Sequence, residues 1–407
     1  MRLVHLADLH LGFRQYHRLT PDGINQREAD VALAFQRAVD RVIELRPDVV
    51  LIAGDVFHSV RPMNAAIIDA FVELQRLRGA LPDAPVIMIA GNHDRPRATE
   101  TGCILKLFSR IGVHVVADGP ERLGFPALGL SVLAVPDLPL GVDLPPLTRD
   151  PDARHNVLLM HLEVEGAIPP RLAGVERAAV PVSRSAIDPP SWAYVALGHY
   201  HVHHEVAPNA YYAGSLEYAS PNVWGEVIEE RATGVPGKGF IEYDLDAKVH
   251  RFHPIEGVHR LVDLPAIAAR GMSPAELDTA IRERVTGYPG GIDDRIVRIV
   301  VRDVPRHVVR ELDQRMLREY KRRALHFHLD ARKPDGLRPG MPVGGVSGRR
   351  LTLKEMVEGY LARRPLDADL DRAALVSLGV EYLAEADAAS EQMWGPAGGD
   401  VGLGGAE

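Results

Sequence analysis

The stretch Val86-Ile87-Met88-Ile89-Ala90-Gly91-Asn92-His93-Asp94, VIMIAGNHD, sets an uninterrupted apolar run directly against Gly, Asn, His and Asp. A short run rich in branched apolar residues reads as a strand buried on both faces, so the polar group falls at its carboxyl end. The layout recurs. LVHLADLH delivers Asp8 and His10; VVLIAGD delivers Asp55; VLLMH delivers His161; YVALGHYH delivers His199 and His201. In an open α/β sheet, sites form outside the carboxyl ends of the strands. Residues nearly 200 positions apart are therefore expected to converge. The glycines before them, Gly54, Gly91 and Gly198, suit a chain that must turn sharply and let backbone come close to an ion or phosphate.

Working outward, further apolar runs at Arg2 to Ala7, Leu130 to Val135 and Tyr194 to Leu197 read as strands. A helix is predicted from Asn25 to Leu45, where Val31, Phe35, Val39 and Val42 recur at spacings of four, four and three. Strand and helix alternate, which is α/β architecture. From Tyr211 the pieces become strand-like (Tyr211 to Gly214, Gly239 to Asp244) and complete a second sheet. An α+β unit follows: a Ser273 N-cap with Pro274 at the first helical position, a strand over Ile296 to Val301, a helix over Arg306 to Arg323 and a strand over Leu325 to Leu329. Residues 333–350 are dense in Pro, Gly and Arg and read as a linker. Amphipathic helices are predicted over Leu353 to Arg364 and Leu370 to Asp387, and the Gly-rich end reads as disordered.

The chain has 407 residues, a formal net charge of -8 and one cysteine, Cys103. No intramolecular disulfide is possible, and any metal must be held by His and carboxylates. No apolar run approaches the roughly 18 residues of a membrane span, and MRLVHLADLH lacks the layout of a signal peptide; a cytoplasmic protein with no membrane partner is expected. Net negative charge does not exclude a local basic patch. Between Arg295 and Lys333 there are 12 Lys/Arg against 5 Asp/Glu, a surplus of seven, as in a nucleic-acid footprint.

The ligand set is two Asp, one Asn and four His, without thiolate, and it suits borderline ions such as Mn(II), Fe(II) or Zn(II). Seven ligands are too many for one ion and fit two, with a carboxylate between them. Two-metal sites with ions roughly 3.5–4 Å apart serve in-line displacement at phosphorus.

In these motifs, Asp-x-His, Gly-Asp, Gly-Asn-His-Asp, a lone His and Gly-His-x-His in that order, the sequence resembles the calcineurin-like metallophosphoesterases. DLHLGFRQYH and GDVFHSVRP make it similar, within that superfamily, to the SbcD-type DNA double-strand-break repair nucleases. The resemblance is specific over residues 1–245; beyond them it rests on layout. It implies two mixed sheets flanked by helices over residues 1–257, an α+β capping domain over 258–333, a linker and helices for a partner over 334–390, and a disordered tail over 391–407. It implies a first metal held by Asp8, His10, Asp55 and His201 and a second by Asp55, Asn92, His161 and His199, with Asp55 bridging. His93 would stand over the scissile phosphate with His58 as its helper, and Asp94 would brace the loop. Manganese-dependent 3′-to-5′ exonuclease and single-strand or hairpin endonuclease activity, a homodimer, and an SMC-like ATPase partner of the SbcC type are implied too.

One departure is Tyr218 in GSLEYASPNVWGE, where a basic residue near DNA is expected. The competing readings are a small-nucleotide phosphodiesterase or pyrophosphohydrolase with the same motifs, a protein phosphatase, disfavoured because Asp55 is followed by Val56-Phe57-His58, and a non-catalytic scaffold, disfavoured because no ligand is missing. His203 and His204 lie past the last motif and are expected to be solvent-facing or supporting residues.

Overall fold

The computed structural model describes residues 1–96, 102–139, 142–167, 181–334, 357–358, 360–361 and 371–382. Strand Val49–Ala53 shows how the layers arise, because its alternate residues enter two different cores. Val50 and Ile52 pack with Val31, Phe35, Val39 and Val42 of helix Gln26–Leu45. Val49, Leu51 and Ala53 face Val132, Leu159 and Ala196 of a second sheet. Burial of each such aliphatic side chain contributes about 1.5–3 kcal/mol, so an all-apolar strand belongs where both faces are covered.

The first sheet has six strands in the order Val249–Pro254, Gly239–Asp244, Arg2–Leu6, Val49–Ala53, Val86–Ile89 and His114–Val116. Its last four are parallel to one another, and the two at the other edge are antiparallel. The second sheet, also mixed, runs Glu121–Phe125, Leu130–Val135, His155–His161, Tyr194–Gly198, Ala210–Tyr212 and His204–Ala207. Helices Gln26–Leu45 and Asn64–Ala80 cover the outer face of the first sheet. Trp192 and Ile187 lie against Leu158, Met160, Val195 and Leu197 on the outer face of the second. The architecture is α/β, two mixed sheets flanked by helices.

A three-stranded parallel sheet, Leu261–Ala268, Ile296–Arg302 and His326–Ala331, has its own core with helices Pro274–Thr286 and Gln314–Arg323. Ser273 caps the first helix with a complete capping box to Glu276. The single helix expected over Arg306 to Arg323 is two, Arg306–Arg310 and Gln314–Arg323. Asp313 breaks it because its side chain accepts from the backbone N–H groups of Arg315 and Met316, the work of an N-cap.

This small sheet touches the large domain. The rings of Tyr16 and His326 stack at 3.9 Å, and Arg18 donates to the carbonyls of Arg322 and Ala324, each at 2.9 Å. Burial, then His328, Lys321 and His17, lowers the His326 imidazole to about 4. The unfolded chain protonates this group near 6.5, so its contribution to stability is intact above that pH and lost as pH falls from 6.5 through about 4. His326→Phe keeps a ring on Tyr16 without a titrating group. Melting curves between pH 7 and 4 are expected to show a shallower acid-induced drop in Tm for this variant; an unchanged slope counts against it.

The chain divides after Pro334, and Asp335–Glu407 form a second unit. In it residues 372–382 are helical, and Leu378 and Tyr382 are exposed. Most of the expected linker, the segment from Leu353 to Arg364 apart from residues 357–358 and 360–361, and the whole expected tail lie outside the described residues. Among the described residues no helix is long and apolar enough to cross a membrane.

Candidate metal centre

Each strand that ends in a polar motif delivers it to one place. The loops after Arg2–Leu6 and Val49–Ala53 continue side by side: Asp8 N–H donates to the Gly54 carbonyl at 3.1 Å, His10 N–H to Asp55 at 2.9 Å, and Leu11 N–H to Val56 at 2.9 Å. These bonds hold an unusual backbone. Asp8 (φ 51°), His10 (φ 47°), Asp55 (φ 49°) and His199 (φ 100°) all have positive φ. For residues other than Gly such conformations cost on the order of 1–3 kcal/mol each, persist only where the surroundings over-determine them, and cluster at functional sites. Two glycines make the approach possible. Gly54 has φ +85° and lies against the His161 ring, and a Cβ on Gly198 would enter the Ala53 carbonyl.

The ten residues singled out from the motifs form one connected cluster. His10 Nε2 is 2.9 Å from His201 Nε2 and 3.8 Å from Asp55 Oδ2. His161 Nδ1 donates to the Ala53 carbonyl at 2.7 Å, which leaves Nε2 facing the cluster, 3.1 Å from Asn92 Oδ1 and 3.4 Å from Asp55 Oδ2. His199 Nδ1 is 3.2 Å from Asn92 Oδ1, and its backbone N–H donates to Asp8 Oδ1 at 2.9 Å. His93 N–H donates to Asp55 Oδ1 at 2.9 Å, while its Nδ1 meets the His58 carbonyl at 2.7 Å. His58 thus meets His93 through its main chain and through ring stacking at 5.2 Å, while its own Nδ1 lies 3.3 Å from His10 Nδ1. Asp94 is buried and braces the loop, accepting from the N–H groups of Val56, Phe57 and Gly91 at 3.1, 2.9 and 3.0 Å.

Three groups in this cluster can hold a metal ion: Asp8, His10 and His201; Asp8, Asp55 and His161; and His10, His58 and His93. Their electrostatics fit a cation. Asp8 Oδ2 is buried with no hydrogen-bond partner. Burial pushes Asp8 up to about 6; at Asp55 burial is outweighed by His161, His10 and His93, which hold it well below the usual range. His161 is raised to about 10, burial being overcome by Asp55 and Asp8. Two buried carboxylates and several imidazoles gathered at one place make a donor set that fits a divalent cation.

Behind His201 lies a layer that the motifs did not reveal. Helix Val223–Thr233 places Glu226 with its Oε1 3.5 Å from His201 Nδ1. Buried Lys238 donates to the His201 carbonyl at 2.7 Å and pairs with Glu226 and, at 3.1 Å, with Glu230. Tyr218 donates to Glu230 Oε2 at 2.6 Å, and the Lys238 ammonium sits 4.6 Å above its ring. Tyr218 is thereby part of this support. A signal existed in the sequence: Val223, Glu226, Val227 and Glu230 follow i, i+3, i+4, i+7, which puts two glutamates on a buried stripe. His203 is half-buried, with Nδ1 3.0 Å from the Tyr212 carbonyl and its ring on His250 and Phe252 at 5.0 and 4.6 Å; His204 opens strand His204–Ala207.

Of the basic surplus in 295–333, Arg298, Arg322, Arg323 and Arg332 are engaged with Asp263, Glu319, Asp293 and Asp330. Arg306, Arg310, Arg315, Arg318 and Lys321 are exposed on the two short helices.

Residues 1–203 match the family model described as Calcineurin-like phosphoesterase. The chain is 30% identical over 268 residues to the "DNA double-strand break repair protein Mre11" of Methanopyrus kandleri, a match covering 60% of this chain and 54% of that protein. It is 32% identical over 207 residues to the protein of the same name from Sulfurisphaera tokodaii, covering 49% of each. Over 111 residues it is 38% identical to that of Methanococcus maripaludis, covering 27% of this chain and 28% of the other. The chain thus spans about half or less of the length of these curated relatives. A solved Pseudomonas putida nuclease MPE aligns at 17% identity and a TM-score of 0.20, over 41% of this chain and 64% of that one, a likeness too slight to bear on the fold.

Proposed function

We propose, from the premise that residues 1–203 of this chain are a calcineurin-like phosphoesterase domain, that it is a metal-dependent DNA phosphodiesterase of the double-strand-break repair type. The observation that carries the reading is the convergence of Asp8, His10, Asp55, Asn92, His161, His199 and His201 around an unpartnered buried carboxylate oxygen. Asp8, His10, Asp55 and His201 would hold one ion and Asp55, Asn92, His161 and His199 a second; the donor set suits Mn(II), Fe(II) or Zn(II), and manganese is the one that the resemblance to the SbcD-type nucleases implies. Two bound divalent ions would supply an activated water and positive charge at the phosphoryl oxygens.

The chain's own residues do the rest. His161 keeps Nε2 available because Nδ1 is tied to Ala53, and Asp94 fixes the loops that carry Asp55 and Asn92. His93 sits beside the ligands with Nδ1 tied to the His58 carbonyl, placed to donate a proton to the leaving oxygen. Exposed Arg306, Arg310, Arg315, Arg318 and Lys321 support the 258–333 module as a DNA-orienting cap, since a small substrate needs no such surface. Met63, Ile68 and Val72, exposed on or beside helix Asn64–Ala80, support a homodimer through that helix. Leu378 and Tyr382, exposed among helical residues 372–382, support docking of the C-terminal segment on an SMC-like ATPase of the SbcC type in the cytoplasm.

The test is incubation of the purified chain with end-labelled double- and single-stranded DNA, including hairpins, under Mn(II), Mg(II) and EDTA. Expected are Mn(II)-dependent shortening from 3′ ends and opening of hairpins, both stopped by EDTA. Intact DNA alongside cleavage of a small phosphodiester such as bis-p-nitrophenyl phosphate would give the small-nucleotide enzyme instead.

A further inference from the structure

The helix Val223–Thr233 contributes nothing to the cluster of candidate ligands, yet it carries a buried carboxylate aimed at one of them. Glu226 Oε1 stands 3.5 Å from His201 Nδ1 and also accepts from the Ser220 hydroxyl. Its other oxygen is bound by Lys238. The Lys238 ammonium donates to the His201 carbonyl and to Glu226 and forms an ion pair with Glu230 at 3.1 Å. It therefore ties the main chain of His201 to the carboxylate that meets the same residue's ring. Buried ions arranged this way cost desolvation and add little net stability, while removal of one partner is severe; the arrangement fixes geometry. Tyr218 and Glu230 complete the clamp, one beneath the ammonium and both joined by a hydrogen bond.

The consequence for His201 is a choice of tautomer. With Nδ1 protonated toward Glu226, Nε2 presents a lone pair, and it points at His10 Nε2, 2.9 Å away. A carboxylate behind a histidine is the standard means of orienting and strengthening an imidazole ligand. We propose that Glu226 is a positioning residue for His201, holding its ring as the Nδ1–H tautomer with Nε2 turned toward His10, and that Lys238 locks Glu226 in that place. The helix is itself pinned: Arg298 of the small sheet, bidentate to Asp263 at 3.0 and 2.7 Å, lies 4.6 Å over the ring of Trp224. This role rests on the metal-centre reading above.

Two measurements on the full chain test it. In the metal-free wild type, long-range ¹⁵N–¹H correlation is expected to show His201 with the proton on Nδ1. In calorimetric titration with Mn(II), the wild type is expected to bind two ions; Glu226→Gln should weaken one of them by about 10–100-fold and leave the other unchanged. Lys238→Met should act in the same direction. An Nε2–H tautomer in the wild type, or two ions bound at wild-type affinity by Glu226→Gln, overturns the role. A wild type that binds no divalent ion refutes the metal centre itself. Should Glu226→Gln not fold, the tautomer in the wild type decides.

Discussion

Asp55→Asn is expected to slow phosphodiester hydrolysis severely and to weaken both metal shells at once. Asp55 is the carboxylate that both proposed ion sites share, with Oδ2 3.4 Å from His161 Nε2 and 3.8 Å from His10 Nε2. Asparagine retains an oxygen to accept from the His93 N–H, as Oδ1 does at 2.9 Å, so the loop keeps its anchor. What disappears is charge. A metal centre of this kind supplies several kcal/mol of transition-state stabilisation, so the rate on end-labelled DNA under saturating Mn(II) should fall on the order of 10³-fold. Calorimetry should show loss of both ions, where removal of a ligand to a single ion, such as His199→Ala, spares the other. Hydrolysis by Asp55→Asn within tenfold of wild type would refute the shared carboxylate.

The convergence of the site was legible because two simple signals coincide. A run such as Val49 to Ala53 needs cover on both faces, here a helix layer on one and the second sheet on the other, and the polar residues that end it must then leave at the strand end. The strained backbone at Asp8, His10, Asp55 and His199 left no such mark. Asp and His tolerate positive φ better than most residues, and the hydrogen bonds that enforce it come from a different strand loop. The stripe shared by Val223, Glu226, Val227 and Glu230 marks a buried glutamate but not its partner, and Lys238 is an ordinary loop residue until the fold brings both to His201. Local pattern shows which residues leave a strand, and long-range packing decides which carboxylates stand behind them. The break at Asp313 went unseen for a related reason: the 3.6 period continues through it, and a single capping side chain overrides it.

His93→Ala is expected to separate chemistry from metal binding. His93 is joined to the centre through its backbone, whose N–H donates to Asp55, and that bond survives in alanine. Its imidazole makes different contacts: Nδ1 meets the His58 carbonyl at 2.7 Å, and the ring packs edge-on to His10 at 4.9 Å. A carbonyl accepts and never donates, so Nδ1 carries the proton and the other nitrogen is the one able to exchange a proton with a substrate oxygen. Loss of a positioned general acid costs about 10²–10⁴-fold in rate. Because the seven proposed ligands are untouched, Mn(II) stoichiometry should remain two and affinity close to wild type. The two outcomes divide the assignments cleanly. A slow enzyme with a full metal complement places His93 in the chemistry and outside the ligand set, whereas loss of an ion on substitution would place His93 among the ligands, beside His10 and His58. A leaving group that needs no protonation gives the decisive control: with a p-nitrophenyl ester as substrate, the penalty for His93→Ala should shrink, because the phenolate departs without a proton. An equal penalty on both substrates would mean that the ring only positions the phosphate.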